Sequence, residues 1–527
     1  MDFYGPILAG GIVRREEAHA IGLDFHALDG VFAIDKAYGL AAVIWVKGAV
    51  DNQDVAFVHA GIDHRHTVDL KEKGRCAVPH EQFHEVQFLA NFLGGGGKTG
   101  LNLAKHKGFQ AFFAGKGDEI VGLHTANLDN FAIFTKNPKR MDREYLKQCL
   151  KRVNGDLVSD ILPFWLENGV DREHGGIYTC LDRDGTLMDT TKSVWFQGRW
   201  GYIASLAYLE LGDPECLDAA RSALEFIEAH CFDADGHMYF AVTADGRPVQ
   251  KRRYVFSECF AAIAMAEYSL ASGETEWADK ALALFKRILW MLAEPGFLPA
   301  KFEFEARGHS ITMMLINVAN VLKQVCSDPV LDSQIDKSLY ELQKYFMKPE
   351  FGTVLEMVGP QGEFIDTIAG RTINPGHCME TGWFILDIAR SRGWDPSLVK
   401  MGTTIIDWAW KWGWDEEYGG MINFRDCRGF SPQDYSQDMK FWWPQCETIL
   451  AGLKAYQATG DEKYLEMHRK AFDYAFSVFP DPDYGEWYGY LHRDGTVAQP
   501  AKGNLFKGPF HVPRMMLMAS QMYNQIL

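Results

Sequence analysis

The chemically versatile residues of this chain are far apart in sequence, yet they stand at one kind of place. Asn374-Pro375-Gly376-His377-Cys378-Met379-Glu380-Thr381-Gly382-Trp383 reads as a helix start, with Asn374 as N-cap and Pro375 in the first helical position. His377 then occupies the first turn, where the helix dipole disfavours an imidazolium and keeps a neutral base available at pH 7. Glu380 and Phe384 follow at three- and four-residue steps and share its face. Trp195 and Arg199 are spaced i, i+4 near another helix start. Glu258, His309, Glu447 and His511 each sit at, or within about two turns of, further starts. Two histidines with an arginine and carboxylates suit proton abstraction beside a carbonyl. One neutral histidine takes the proton from carbon, and Arg199 stabilises the charge that develops on oxygen. The second histidine returns a proton to the opposite face and inverts the centre. Trp195, Trp383, Trp442 and Trp443 offer flat apolar surface to the C–H faces of a sugar, while Arg and Glu bond its hydroxyls. No metal, flavin or nicotinamide motif is read, and this chemistry requires no cofactor.

These residues need a frame that gathers helix starts. Over residues 141–527 the periodicity predicts twelve amphipathic helices, from 143–166 to 513–526, at roughly 30-residue spacing. Links from even- to odd-numbered helices start are short: Gly212-Asp213-Pro214, Gly273-Glu274-Thr275, Gly460-Asp461. Links from odd to even are long and carry recurrent hairpin-like strings, such as Asp171 to Tyr178 and Asp415 to Gly420. This alternation predicts an all-α (α/α)6 barrel, a closed toroid of six helical hairpins. The even helices, richer in small and apolar residues (Ala204, Ala261, Ala262, Ala451), form the inner ring. Their N-termini meet at one rim, and that rim is where the reactive residues stand.

Residues 1–140 differ, forming a smaller N-terminal α/β or irregular segment. Ala41 to Val46 and Asp54 to Val58 read as strands. Gly94 to Gly97 with Lys98 and Thr99 suggest an anion-binding loop, but Phe92 stands where a phosphate loop needs glycine. His80-Glu81-Gln82-Phe83-His84 matches a zinc-protease helix motif without a third ligand pattern, so no metal site is expected. The net charge of −17 argues against nucleic acid and anionic membranes as partners. Ten cysteines without a C-x-x-C pair indicate a reducing compartment, and no signal peptide or membrane-spanning run is read. The expected location is the cytoplasm.

The segment 141–527 resembles the N-acylglucosamine 2-epimerase family, whose animal members are also called renin-binding proteins. The likeness is carried by Trp195-Phe196-Gln197-Gly198-Arg199, Asn374 to Trp383, Lys440 to Glu447, Gly485 to Leu491, and Lys507 to Arg514. It implies an (α/α)6 barrel and interconversion of N-acetylglucosamine and N-acetylmannosamine. It places essential residues on Arg199, His377, Glu447 and His511, with the two histidines as the acid/base pair at C2 of the ring-opened sugar. His309 and Glu380 resemble substrate-contacting or ring-opening residues, and Glu258, Trp195, Trp383 and Trp443 join them as expected sugar contacts. The resemblance further implies ATP as an allosteric activator, for which no motif is found, and a homodimer as the assembly. Related cellobiose or mannose 2-epimerases and aldose–ketose isomerases share the paired histidines. An (α/α)6 glycoside hydrolase using Glu380 and Glu447, and a non-catalytic binding protein, are the other readings. Residues 54–122 resemble the N-terminal half of a ribokinase-type sugar kinase without its catalytic half. Residues 1–140 are therefore expected to be an appendage or an upstream translation. A chain beginning at Met141 should be soluble and active; an insoluble or inactive product would rule that expectation out.

Overall fold

The computed structural model describes residues 140–527, except 301–303, and four short strands nearer the N-terminus. The chain divides into two units, Met1–Asn137 and Pro138–Leu527. In the first, Ala41–Trp45 pairs antiparallel with Gln110–Ala114, and Val58–Ile62 with Val68–Glu72. The predicted strand at Ala41 is thus present, whereas the one expected from Asp54 begins only at Val58. The stretches 80–84 and 92–99 lie outside the described residues.

The second unit is a ring of paired helices. Helix α1 runs through Arg140–Asp156, a π-helical turn Leu157–Ile161, and Leu162–Asn168. Then follow α2 (Val194–Leu211), α3 (Pro214–His230), α4 (Phe256–Ser272) and α5 (Glu276–Ala293). Next come α6 (His309–Leu322), α7 (Pro329–Glu341), α8 (Pro375–Ser391) and α9 (Pro396–Gly413). The set ends with α10 (Trp442–Thr459), α11 (Glu462–Val478) and α12 (His511–Ile526). The even helices pack in chain order, and α12 returns to α2, which closes an inner ring. Among the outer helices, each inner helix packs most extensively against the one that follows it, and α12 against α1. This is an (α/α)6 barrel.

Local chemistry explains the alternation of links. At the short turns the inner helix ends on a left-handed glycine, such as Gly212 (φ 72°) or Gly460 (φ 65°). An aspartate then caps the outer helix: Asp213, Asp328, Asp395 and Asp461 each accept a backbone N–H from its first turn. Burial divides the rings as expected. In α11 only the stripe Tyr464, Leu465, His468, Ala471, Phe472, Ala475 and Phe476 is buried, whereas α10 is buried nearly all round from Trp442 to Tyr456. Among the described residues no helix is long and apolar enough to cross a membrane.

The long links form the rim that holds the inner helix starts, and one device recurs there. The Gln197 side chain accepts from the Ile177 N–H (2.8 Å) and donates to its carbonyl (2.9 Å). Gln445 does the same to Met421 at 2.7 and 2.8 Å. Glu258 accepts from the Met238 N–H at 2.6 Å. A buried ammonium–carboxylate pair stands in the two glutamine-clamped links, Lys192 with Asp171 (2.7 Å) and Lys440 with Asp415 (3.0 Å), and in the last link, Lys502 with Asp481 (2.7 Å). Burial alone would raise the Asp415 carboxyl, but Arg493 and Lys440 outweigh it and hold it well below its ordinary 3.8. Its contribution is therefore complete above that value and is lost as pH falls further. Removing Asp415 leaves Lys440 buried without its carboxylate. Asp415→Ala should cost about 3–5 kcal/mol in urea unfolding at pH 7. Its deficit against wild type should shrink below about pH 4.

Candidate active site

A cavity of about 320 Å³ opens among the inner helix starts, and all six inner helices reach it. Trp195 and Arg199 come from α2, Phe256 and Phe260 from α4, and His377 and Glu380 from α8. Trp442 and Trp443 come from α10, His511 and Arg514 from α12, and four residues from α6. Its size is at the small end of ligand pockets and suits a single sugar.

His511 and His377 both lie against Trp443, with ring centroids 5.8 and 5.3 Å from it. Gly376 permits that approach, since a Cβ there would come within 2.5 Å of the Trp443 ring. The two imidazoles have opposite surroundings. His511 Nδ1–H donates to Glu447 Oε1 at 2.7 Å, which leaves Nε2 as its uncommitted nitrogen. Glu447 is fully buried and also accepts from Arg514 (2.6 Å) and from Trp383 Nε1 (2.8 Å). Arg514 reaches on to Glu380 at 2.7 Å. Burial, followed by the positive fields of Arg514 and Arg199, pushes His511 well below its ordinary 6.5, so it is neutral at pH 7.

His377 has the reverse balance. Asn374 caps α8 by accepting the His377 backbone N–H, 3.1 Å. The His377 Nδ1 meets both oxygens of Glu356 at 3.1 Å. Burial opposes an imidazolium here, but the charge and hydrogen bond of Glu356 outweigh it and raise His377 above its ordinary value. The expectation of a neutral base rested on the helix dipole, and Glu356 pushes the other way. The helix dipole acts on His377, but a carboxylate in direct contact is the stronger neighbour.

The other predicted residues divide between wall and support. Trp195, Arg199, Trp443 and Glu380 line the cavity. The Arg199 guanidinium lies over Phe260 (4.1 Å) and Phe510 (4.8 Å), and its Nε has no hydrogen-bond partner among the described residues. Burial pulls it down to about 9, which leaves it charged at neutral pH. Glu447 and Trp383 lie behind His511 rather than on the wall. His309, expected as a sugar contact, is wholly buried behind His377, between Glu356 (3.1 Å) and Thr381 (2.9 Å). Glu258 is not at the cavity; its Oε1 meets the Met238 N–H and the His237 ring, closing a rim link as Gln197 and Gln445 do.

Two residues escaped the sequence reading. Arg514 stands three residues after His511, the spacing that singled out Glu380 after His377, so its signal was present. Glu356 lies in the link between α7 and α8, at no helix start, and nothing in its neighbourhood marks it. Two groups have donors that could hold a cation within 4.8 Å of one another: His309, Glu356 and His377, and Glu380, Glu447 and His511. In the first, imidazole N–H groups neutralise the carboxylate; in the second, the Arg514 guanidinium does.

The family model of N-acylglucosamine 2-epimerase matches residues 176–507. The chain is 36% identical over 403 residues to N-acylglucosamine 2-epimerase of Mus musculus, covering 73% of this chain and 94% of the relative. It is 34% identical over 411 residues to the Homo sapiens protein, covering 74% and 94%. In fold it is similar to cellobiose 2-epimerase from Spirochaeta thermophila (TM-score 0.64, 21% identity, 74% of this chain and all of that one). It is also similar in fold to a D-mannose isomerase (TM-score 0.61, 17% identity, 74% and 100%). With this extent of identity, spanning nearly the whole length of its mammalian relatives, the chain is an isomerase and belongs to the N-acylglucosamine 2-epimerase family.

Proposed function

We propose that this protein interconverts N-acetyl-D-glucosamine and N-acetyl-D-mannosamine by moving one proton off, and another onto, C2 of the ring-opened sugar. The observation that carries this reading is the electrostatic asymmetry of two imidazoles against one indole: burial and Arg514 push His511 down, and Glu356 draws His377 up. His511 Nε2 takes the C2 proton. The C–H electron pair becomes the C1–C2 double bond, and the carbonyl pair moves onto O1. Arg199, whose guanidinium lies over Phe260 with its Nε unpaired among the described residues, offsets that charge. The imidazolium of His377 then delivers a proton to the other face of C2. Between them the two rings carry one proton at the start and one at the end, so the reverse reaction uses the same groups in exchanged roles. The reading requires no cofactor. The nine cysteines among the described residues are free, in keeping with a cytoplasmic protein.

Hydrolysis is less well supported. Glu447, one of the two carboxylates it needs, has both oxygens committed and is absent from the cavity wall. Reaction in heavy water should yield product carrying one deuterium at C2 by NMR. His377→Ala or His511→Ala should lower kcat by about 10²–10⁴-fold. Unlabelled product would contradict the proton-transfer reading.

The pair must hold a single proton to be active. Activity should therefore fall at low pH as His511 becomes charged and at high pH as His377 becomes neutral. Because Glu356 raises His377, Glu356→Gln should move the alkaline limb of kcat/KM to lower pH. An unmoved limb would show that Glu356 does not set the charge of His377.

A further inference from the structure

The α6 wall of the cavity is built unlike the others. Thr312 to Ala319 is buried throughout, with one exception, Asn317. Ser310, Met313, Met314 and Asn317 line the cavity at steps of three, one and three residues, so they form one face of α6 over two turns. The Ser310 hydroxyl and the Asn317 amide make no hydrogen bond to any described residue. Between these two polar groups lie the thioethers of Met313 and Met314. A donor and acceptor pair separated by soft, polarisable apolar surface is the complement of a small secondary amide that carries a methyl group.

The position fits as well as the chemistry. In the inner ring α6 lies between α4 and α8. It is the neighbour of His377 on the side away from Trp443 and α10. His377 is one of the two groups that flank C2 in the proposed reaction, and α6, the inner helix next to α8, lines the same cavity. A 2-hydroxyl would reach one polar group there and leave the methionines uncovered. A 2-acylamino group uses all four residues.

We infer that this face of α6 is an acylamino subsite: Asn317 and Ser310 hydrogen-bond the amide of the substituent at C2, and Met313 and Met314 receive its acyl chain. The inference rests on the proposed epimerase reading and assigns the residues that select its substrate class. Asn317 is then a specificity residue, with no part in proton transfer.

Kinetics of the full chain with N-acetylmannosamine and N-propanoylmannosamine test it. Asn317→Leu removes the amide partner at similar volume and should raise KM for both sugars at least about tenfold. A smaller folded fraction would lower apparent kcat and leave KM unchanged, so the readout does not depend on yield. Met314→Ala enlarges the acyl cup and should raise the ratio of kcat/KM for N-propanoyl over N-acetyl sugar by about tenfold. An unchanged KM in Asn317→Leu together with an unchanged ratio in Met314→Ala would overturn the subsite. Failure of the wild-type protein to turn over either N-acyl sugar would instead overturn the epimerase reading, and the subsite with it.

Discussion

The site depends on two imidazoles held in opposite electrostatic surroundings. Arg514 makes the environment of His511 positive, and Glu356 makes that of His377 negative. Histidine in water titrates near neutrality, so a symmetrical pair would spend much of its time doubly neutral or doubly charged. Unequal neighbours select the state with one proton, and they assign it to one ring. Every other contact in the site maintains that inequality. Glu447 orients His511 without recharging it, because Arg514 neutralises Glu447. Glu380 completes the neutralisation of Arg514 from the next helix. His309, itself held by Thr381, holds Glu356 from behind.

The toroid makes this arrangement available to residues more than a hundred positions apart. Each inner helix contributes its first turns to one rim, so a short cluster at a helix start becomes one sector of the cavity. The rim itself must be rigid, and it is made rigid by polar means. Amide clamps from Gln197 and Gln445 and buried Lys–Asp pairs fix the long links that lead into α2, α10 and α12. Such pairs offer little net stability over apolar packing but are costly to break, which suits a structure that must hold one geometry.

Much of this was legible in the sequence because it is written locally. Asn374 before Pro375, Asp213 after Gly212 and Asp461 after Gly460 are capping signals whose physics needs no tertiary partner. The alternation of short and long links then dictates the barrel. What escaped was set by contacts across the ring. Glu258 has the same helix-start position as the site carboxylates, and only its partner, Met238, shows that it serves the rim. His377 was assigned the charge its own helix favours, while Glu356, twenty-one residues earlier in an irregular link, acts in the opposite sense. Trp383 and His309 were placed on the wall by type, whereas both support a carboxylate from behind.

The claim on which the rest hangs is a statement about protonation, and nitrogen NMR of the protein labelled with 15N-histidine reads it directly. At pH 7, without substrate, His377 should show two protonated ring nitrogens, and His511 should show a neutral ring with the proton on Nδ1 facing Glu447. Two neutral rings, or the charge resting on His511, would contradict the account.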